Sequence, residues 1–417
     1  MPDSESSTPA QAEKRAAGYA NNAPPATPAL GGILRDRIAR DGALSFVDFM
    51  ACALYEPGLG YYARSARQVG REGDFFTSVS VGPLFGELLA RRFLREWQEA
   101  GAPRRWRIIE CGAHDGRLAA DLLGAMQRLD AHAFAALEYA IPEPLPLLQA
   151  AQRGTLENFA STVRHIARLD ELATEPPLPG VAFGNELLDA LPFYVIEFTS
   201  GGWRECRVGL APDGSFMWEN HHAITDPPLK QAVAALGDHF PEGYRSEVRT
   251  NFHELLTALT RCLSSGLLVW PDYGFARPEY YHPDRRQGTL RTFSRHRAAE
   301  NPLATPGEID ITAHVDFTAV AEAALSLGCQ PGSFRSQGSW LTEIGRDWLL
   351  SLEDQPPPAA LREFQTLTHP GHLGGSFHVL ELHWNQPEKH PAPADLHRLA
   401  LLGSPSPRVN ARCTPCF

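Results

Sequence analysis

The chain has 417 residues, of which 43% are hydrophobic and 21% are charged, as is usual for a soluble globular protein with a sizeable core. Its length allows one large domain with insertions, or roughly two to three average domains. The formal net charge of −11 argues against a broad nucleic-acid-binding surface. No apolar run approaches the length of a membrane span.

The two ends of the chain have the composition of flexible tails. Residues 1–30 are rich in Ala, Pro and Ser, and residues 386–417 are again rich in Pro and charge. The first segment lacks the apolar core of a secretory signal, and its acidic residues argue against a mitochondrial transit peptide. The seven cysteines are odd in number and scattered, which favours reduced thiols. We therefore expect a cytoplasmic protein.

Metal binding is not expected. Cys413 and Cys416 form a single C-x-x-C pair in the C-terminal tail, which is weak evidence for a metal site. Three histidines, His369, His372 and His378, lack a second group of ligands at suitable spacing. We predict structural roles for these histidines.

Residues 31–105 form a predicted N-terminal helical cap. Apolar residues recur at helical spacing from 33 to 53, with an interruption near Asp41 and Gly42, and Ser45 is a candidate N-cap for the second piece. A loop rich in Gly and aromatic residues follows. A further helix is predicted from about Pro83 to Trp97.

A strand, a glycine turn and a helix are predicted from Arg107 to Asp121. The apolar strand ends at Glu110, and Gly112 and Gly116 bracket a tight turn that leads into a helical pattern. Glycines let the backbone approach a ligand, and an acid at a strand end can bind an amino or hydroxyl group. The spacing E-x-G-x-x-x-G is closer to an S-adenosylmethionine turn than to the dinucleotide pattern G-x-G-x-x-G. An ordinary strand-to-helix turn is the alternative.

Residues 137–141 form a candidate second strand, and Glu143 lies just past its end. A carboxylate about thirty residues beyond a glycine turn is where such a fold binds ribose hydroxyls. The alternative is a surface acid in a turn, since Pro142 and Pro144 flank it. A helix over 147–156 and a third strand over 163–169 are predicted next.

The segment GNELLDALP, residues 184–192, follows a buried strand predicted over 180–184. Ligands of open α/β sheets bind beyond the carboxyl ends of strands. Glu186 and Asp189 are three residues apart, so in a helical turn their carboxylates share a face; Asn185 could cap that turn. A capped helix start with solvated acids is the alternative.

The remaining chain alternates regular and irregular segments. We predict a hairpin from 194–198 and 203–208, inserted excursions near 201–250 and 276–312, helices over 252–263 and 315–327, a buried strand over 266–270, and an edge strand over 377–382.

Seven motifs occur in an order that resembles one family: GDFFTS, ECGAHDGRLAADLL, IPEPLPLLQAAQ, NELLDALP, DYGF, GTLRTFSRHR and PGEIDITAHVDF. The chain resembles the MidA-like family of class I S-adenosylmethionine-dependent methyltransferases over residues 31–385. This resemblance implies an α/β fold with a Rossmann-like, seven-stranded sheet, an N-terminal helical cap, a methyltransferase core over 106–385, and insertions.

The resemblance also implies site residues. Cofactor contacts are expected from three regions: Gly73, Asp74 and Thr77; Glu110, Gly112, His114 and Gly116; and Glu143 with Asn185. Asn185, Glu186 and Asp189 are the expected catalytic residues. Glu186 is expected to orient the acceptor, and Asp189 either assists it or holds the loop.

One position departs from the family pattern, in which the turn usually reads G-P-G-x-G. Here His114 replaces the middle glycine, which matters if that position needs positive φ.

The implied activity is methyl transfer from S-adenosylmethionine, most simply to an arginine of a partner protein, such as a respiratory-complex subunit or another cytosolic protein. The alternative from a different class is a cofactor-binding assembly factor or pseudoenzyme that acts through partner binding. A nicotinamide-dependent oxidoreductase is disfavoured, since the G-x-G-x-x-G spacing is missing.

Overall fold

The structure is a computed structural model, and it describes residues 30–64, 77–294, 297–298, 301–352 and 357–385. The predicted contacts from Gly73 and Asp74, and the Cys413–Cys416 pair, lie outside these residues. The α-helices are α1 Leu30–Asp41, α2 Phe46–Tyr55, α3 Tyr61–Arg64, α4 Ser78–Val81, α5 Leu84–Glu99, α6 Arg117–Leu129, α7 Ala131–Ala135, α8 Pro146–Thr155, α9 Leu169–Ala173, α10 Pro227–Ala234, α11 Phe252–Cys262, α12 Arg277–Tyr280, α13 Phe317–Ser326, α14 Gln337–Ile344, α15 Arg346–Ser351, α16 Pro358–Thr368 and α17 Leu373–Ser376.

In the described ranges, the strands form three sheets. They are β1 Leu44–Ser45, β2 Trp106–Glu110, β3 Leu137–Pro142, β4 Val163–Ile166, β5 Leu178–Phe183, β6 Tyr194–Thr199, β7 Gly202–Leu210, β8 Phe216–His222, β9 Arg245–Val248, β10 Leu263–Phe275, β11 Arg291–Ser294, β12 Arg297–Ala298, β13 Asp310–Thr312, β14 Val315–Asp316, β15 Gln330–Ser336 and β16 Phe377–Asn385.

The main sheet has the order β15-β16-β10-β5-β2-β3-β4, with the short β14 paired to β10. Strands β4, β3, β2, β5 and β10 are parallel, and β16 runs antiparallel to both of its neighbours. This path of seven strands confirms the predicted seven-stranded α/β sheet. The chain moves outward from β2 through β3 to β4 and then returns to β5 on the other side of β2. The strand order therefore reverses between β2 and β5, where open α/β sheets bind ligands.

Helices cover both faces of the main sheet. One core packs α5, α6 and α14 against it, and a second core packs α11 and α13 against the opposite face. Strand β2 is buried along its whole length because it lies in the middle of a sheet that is covered on both sides.

A second, five-stranded sheet joins the N-terminal helices to the segment that follows β5. Strands β1, β7, β6 and β9 form its path, with β8 paired to β7. The predicted N-cap is confirmed, since the Ser45 side chain accepts a hydrogen bond from the Asp48 N–H at the start of α2. The apolar faces of α1 and α2 pack with Phe193, just before β6, and with Val195 of β6.

Several sequence predictions were wrong in detail. Residues 185–192 form turns and bends instead of a helical turn. Strand β16 lies between β10 and β15, so it is not an edge strand. The third strand ends at Ile166, before α9, and the segment 276–312 contains a short helix and a small three-stranded sheet. Local periodicity missed these features because tertiary pairing decides them.

Candidate active site

The site is a cavity of about 980 Å³ at the carboxyl ends of the parallel strands. This volume is at the upper end of the range for small-molecule sites, roughly 300–1,000 Å³. The turn after β2, the segment after β3 and the segment after β5 contribute to its wall, and so do α11 and the N-terminal helices. Of the predicted site residues within the described chain, the ones that line it are Thr77, Glu110, Gly112, His114, Glu143, Asn185, Glu186 and Asp189.

The glycine turn forms despite the histidine within it. Gly112, His114 and Gly116 all have positive φ, of 73°, 46° and 83°. His114 thus occupies the left-handed conformation that glycine adopts most easily, and histidine is among the side chains that tolerate it. Gly116 lies just before α6, which begins at Arg117. The turn is therefore formed with His114 in place.

Gln152 of α8 holds this turn against the acid that follows β3. Its Nε2 donates to the His114 carbonyl at 2.9 Å and to Glu143 Oε2 at 3.2 Å. The Glu143 Oε1 accepts from the Leu145 N–H at 2.9 Å. Glu143 is buried in the cavity wall, and burial raises its pKa. It is thus not the surface acid of the alternative interpretation. Sequence reasoning missed Gln152, although the quoted motif ends on it and helical spacing could have placed it.

Glu110 at the end of β2 is also buried. Its carboxylate accepts a hydrogen bond from the Tyr139 hydroxyl at 2.6 Å. Burial raises the pKa of Glu110 to about 7, although the Tyr139 hydrogen bond opposes that shift. Glu110 can therefore change protonation near neutral pH.

Glu186 lies just past β5 in a strained backbone conformation, with a φ of 50°. Its N–H donates to the Pro271 carbonyl at 3.0 Å. Its Oε1 accepts from the Asn185 Nδ2 at 3.1 Å and from the Ser78 N–H at 3.3 Å. Asn185 therefore holds the Glu186 carboxylate and caps no helix. Strain of this kind in a non-glycine residue is concentrated at functional sites.

Burial, followed by the negative charge of Asp189, raises the pKa of Glu186 to about 8. Burial also raises the pKa of Asp189, whose Oδ2 accepts from the Tyr273 hydroxyl at 2.5 Å. Two acids with raised pKa values therefore share one wall of the cavity. A cation bound between them would favour their ionised forms.

A buried carboxyl group and a buried guanidinium hold this acidic segment in place. Asp272 accepts backbone hydrogen bonds from Leu188 at 2.8 Å and Asp189 at 3.2 Å. The Arg249 guanidinium donates to the carbonyl oxygens of four residues: Asp189, Leu191, Ala313 and His314. A loop without regular structure is thereby fixed through its backbone. Nothing in the local sequence around 185–192 pointed to Arg249, which lies 60 residues after Asp189.

Thr77 lies at the N-terminus of α4, where its hydroxyl and that of Ser80 form a reciprocal capping box.

In the described part of the chain, no group of three or more His, Cys, Asp or Glu side chains is arranged to hold a metal ion. No helix within those same residues is long and apolar enough to cross a membrane.

The cavity fits an S-adenosyl group chemically. Gly112 lines the cavity, and a Cβ added to it would lie 3.0 Å from the Leu187 side chain. A ligand can therefore approach the backbone here only because residue 112 is glycine. The buried Glu143 carboxylate is the kind of group that accepts hydrogen bonds from a ribose diol. The Asn185 Oδ1 is buried without a hydrogen-bond partner on this wall, so an acceptor atom is available to a ligand.

The sheet is mostly parallel and has helices on both faces, with a glycine turn and acidic residues where its strand order reverses. These features are typical of Rossmann-like enzymes that bind a nucleotide-type cofactor. The comparisons with known proteins narrow this class. Residues 88–334 match the model of a family described as "Putative S-adenosyl-L-methionine-dependent methyltransferase". The chain belongs to this family, and it is an S-adenosylmethionine-dependent methyltransferase of the MidA-like group.

Similar proteins support this assignment across most of the chain. A Burkholderia thailandensis protein whose crystal structure contains S-adenosyl-homocysteine is 33% identical, with a TM-score of 0.76, and the match covers 86% of this chain and 92% of that one. The "Protein arginine methyltransferase NDUFAF7 homolog, mitochondrial" of Drosophila melanogaster is 27% identical, covering 84% of this chain and 83% of the relative. The human protein named "Protein arginine methyltransferase NDUFAF7, mitochondrial" is 25% identical, covering 86% and 84%.

Proposed function

We propose that this methyltransferase modifies an arginine side chain of a partner protein. The observation that carries the proposal is the pair of acids, Glu186 and Asp189, on one wall of the cofactor cavity. Burial raises the pKa of both carboxyl groups, and a bound cation would stabilise their ionised forms. The names of the Drosophila and human relatives support arginine as the acceptor.

Cofactor binding is assigned to the turn and to the acids beside it. We propose that Gly112 and His114 contact the methionine part of the cofactor through the backbone, and that Glu143 binds the ribose hydroxyls. Gly116, which was also an expected contact, does not line the cavity and is proposed only to shape the turn. Glu110 and Thr77, which both line the cavity, are further proposed cofactor contacts. Gly73 and Asp74 remain expected contacts from the preceding segment.

The bound cofactor supplies a methyl group on a positively charged sulfur. The protein's task is to orient the acceptor for in-line displacement. A guanidinium is protonated at neutral pH, so its attacking nitrogen must lose a proton as it becomes bonded to the methyl group. Glu186 accepts that proton, for which a pKa of about 8 is suitable. Asp189, held by Tyr273, localises positive charge on the other guanidinium nitrogens.

The test compares Glu186→Gln with the wild-type enzyme. The amide preserves side-chain shape and cannot accept the proton, so S-adenosyl-homocysteine should still bind while methyl transfer is abolished. Glu308→Gln, an exposed residue, is the matched control. Calorimetry measures cofactor binding, and transfer of a labelled methyl group to lysate proteins measures activity. Full activity in Glu186→Gln would refute the role of Glu186, and modification found by mass spectrometry on a residue other than arginine would refute the acceptor.

The cytoplasm remains our proposed location for this activity. All five described cysteines are unpaired and buried, as suits a reducing compartment. A respiratory-complex subunit or another cytosolic protein is the proposed class of partner.

A further inference from the structure

Two tyrosines of the N-terminal helices form a stacked pair in the wall of the same cavity. The rings of Tyr55 and Tyr62 have centroids 5.6 Å apart and planes inclined by 20°. Both residues are partly buried and line the cavity. Neither belongs to the glycine turn or to the acidic segment after β5, so the proposed chemistry does not yet use them.

Each tyrosine hydroxyl is hydrogen-bonded to a segment that carries a carboxylate. The Tyr62 hydroxyl donates to Asp310, with distances of 3.0 Å and 3.2 Å to its two oxygens. The Tyr55 hydroxyl donates to the Ala190 carbonyl at 2.8 Å, next to Asp189 in the chain. The tyrosine pair therefore spans the space between two separate acidic segments.

Asp189 and Asp310 both line the cavity, and both are buried. Burial and then the negative charges of Asp310 and Asp189 raise the pKa of Tyr55, which indicates that both carboxylates lie near its hydroxyl. Asp189 is only 5% exposed, and its buried Oδ1 has no hydrogen-bond partner. This oxygen could therefore accept a hydrogen bond from a bound ligand.

A protonated guanidinium meets the requirements of this arrangement. It is planar and always charged, it binds carboxylates through a fork of N–H donors, and it packs against aromatic rings. A lysine ammonium offers three donors from a point charge and has no flat face. Stacked tyrosines with carboxylates on two sides therefore favour the guanidinium.

We propose that Tyr55, Tyr62 and Asp310, together with Asp189, form the acceptor subsite that selects a guanidinium side chain. This inference rests on the proposed arginine methyltransferase activity and identifies the residues that recognise its substrate. Asp310 and the tyrosine pair are specificity-determining residues, while Glu186 remains the group that takes the proton.

The test measures binding of N-acetyl-arginine amide to the full-length protein saturated with S-adenosyl-homocysteine. N-acetyl-citrulline amide, a neutral molecule of almost the same shape, and N-acetyl-lysine amide are the comparison ligands. We expect the arginine probe to bind at least roughly tenfold more tightly than either. Citrulline lacks the charge that strengthens the hydrogen bonds, and lysine lacks the planar fork of donors and the flat face.

Asp310→Asn and Tyr62→Phe are the test variants, and Glu308→Gln, two residues from Asp310, is the matched control. We expect Asp310→Asn to weaken the arginine probe by roughly tenfold or more and Tyr62→Phe to weaken it less, with S-adenosyl-homocysteine affinity unchanged. Unchanged cofactor affinity shows that each variant is folded. In the methyl-transfer assay, the change should appear in the acceptor KM more than in kcat.

Two results would overturn the subsite. One is equal binding of the arginine probe to the wild-type protein and to Asp310→Asn; the other is no preference of the wild-type protein for arginine over citrulline or lysine. The proposed activity can fail separately. If the protein binds the arginine probe as expected but methylates no arginine, the subsite is supported and the activity is refuted. If the enzyme methylates arginine and Asp310→Asn leaves the acceptor KM unchanged, the proposed activity is supported and the proposed subsite is refuted.

Discussion

The histidine in the glycine turn allows a direct test of how the cofactor turn is built. His114 has a φ of 46°, and its side chain is only 18% exposed. A left-handed conformation costs roughly 1–2 kcal/mol in a residue with a Cβ, and glycine avoids that cost. Glycine also loses more backbone entropy on folding, which offsets roughly 0.5–1 kcal/mol of the gain. His114→Gly should therefore be as stable as the wild-type protein, or more stable by about 1 kcal/mol.

The comparison variants share the loss of the imidazole but differ in how they tolerate positive φ. Asn adopts the left-handed region readily, Ala less so, and Val least because it is β-branched. We expect stability to fall in the order Gly or Asn, then Ala, then Val, with Val at least about 1 kcal/mol below Ala. The contact of His114 with Asp115, at 3.8 Å, is lost in all four, so it does not affect the order.

Chemical denaturation measures the stability order, and titration with S-adenosyl-homocysteine measures the turn's function. The Gly and Asn variants should bind the ligand at least as tightly as the wild-type protein, since the contact proposed for this turn is made by the backbone. The Val variant should bind more weakly. Equal stability and equal affinity of the Gly and Val variants would refute the idea that the backbone conformation at 114 matters.

Three further predictions concern the supports of the site and its protonation. Gln152→Leu removes the hydrogen bonds to the His114 carbonyl and to Glu143, so calorimetry should find S-adenosyl-homocysteine affinity reduced by roughly tenfold; unchanged affinity would contradict this. Arg249→Met removes the guanidinium donor from four carbonyl oxygens, of which that of Asp189 keeps the Ala313 N–H, so denaturation should show a loss of at least about 3 kcal/mol, and a loss below about 1 kcal/mol would argue against this role. Because the free enzyme holds a proton on Glu186 below a pKa of about 8, the acceptor kcat/KM should rise as pH increases toward 8; a flat profile from pH 6 to 8 would exclude that requirement.

The sequence by itself determined much of the sheet and of its cofactor turn. Strand β2, the glycine turn and α6 could be predicted because apolar periodicity and glycines are local signals. Glu143 and Glu186 could be placed for a similar reason, since the carboxyl ends of parallel strands lie at one edge of the sheet. The family motifs then identified the cofactor.

Tertiary structure alone decided how the acidic segment after β5 is held. Local spacing suggested a helical turn at Glu186 and Asp189, but the segment is a loop fixed by Asp272 and by the buried Arg249. These partners lie far away in the chain, and no local pattern encodes such contacts. The same is true of the tyrosine pair, whereas helical spacing could have placed Gln152 near Glu143.

Pairing of the last strands shows the same limit. Strand β16 had the apolar character expected of a strand, but its interior position depends on β15, which carries Pro331 and Gly332 and has weak strand propensity. Propensity describes a residue's own backbone preference and packing surface. Which strand lies beside another is determined by the free energy of the whole sheet, and only the folded chain reveals it.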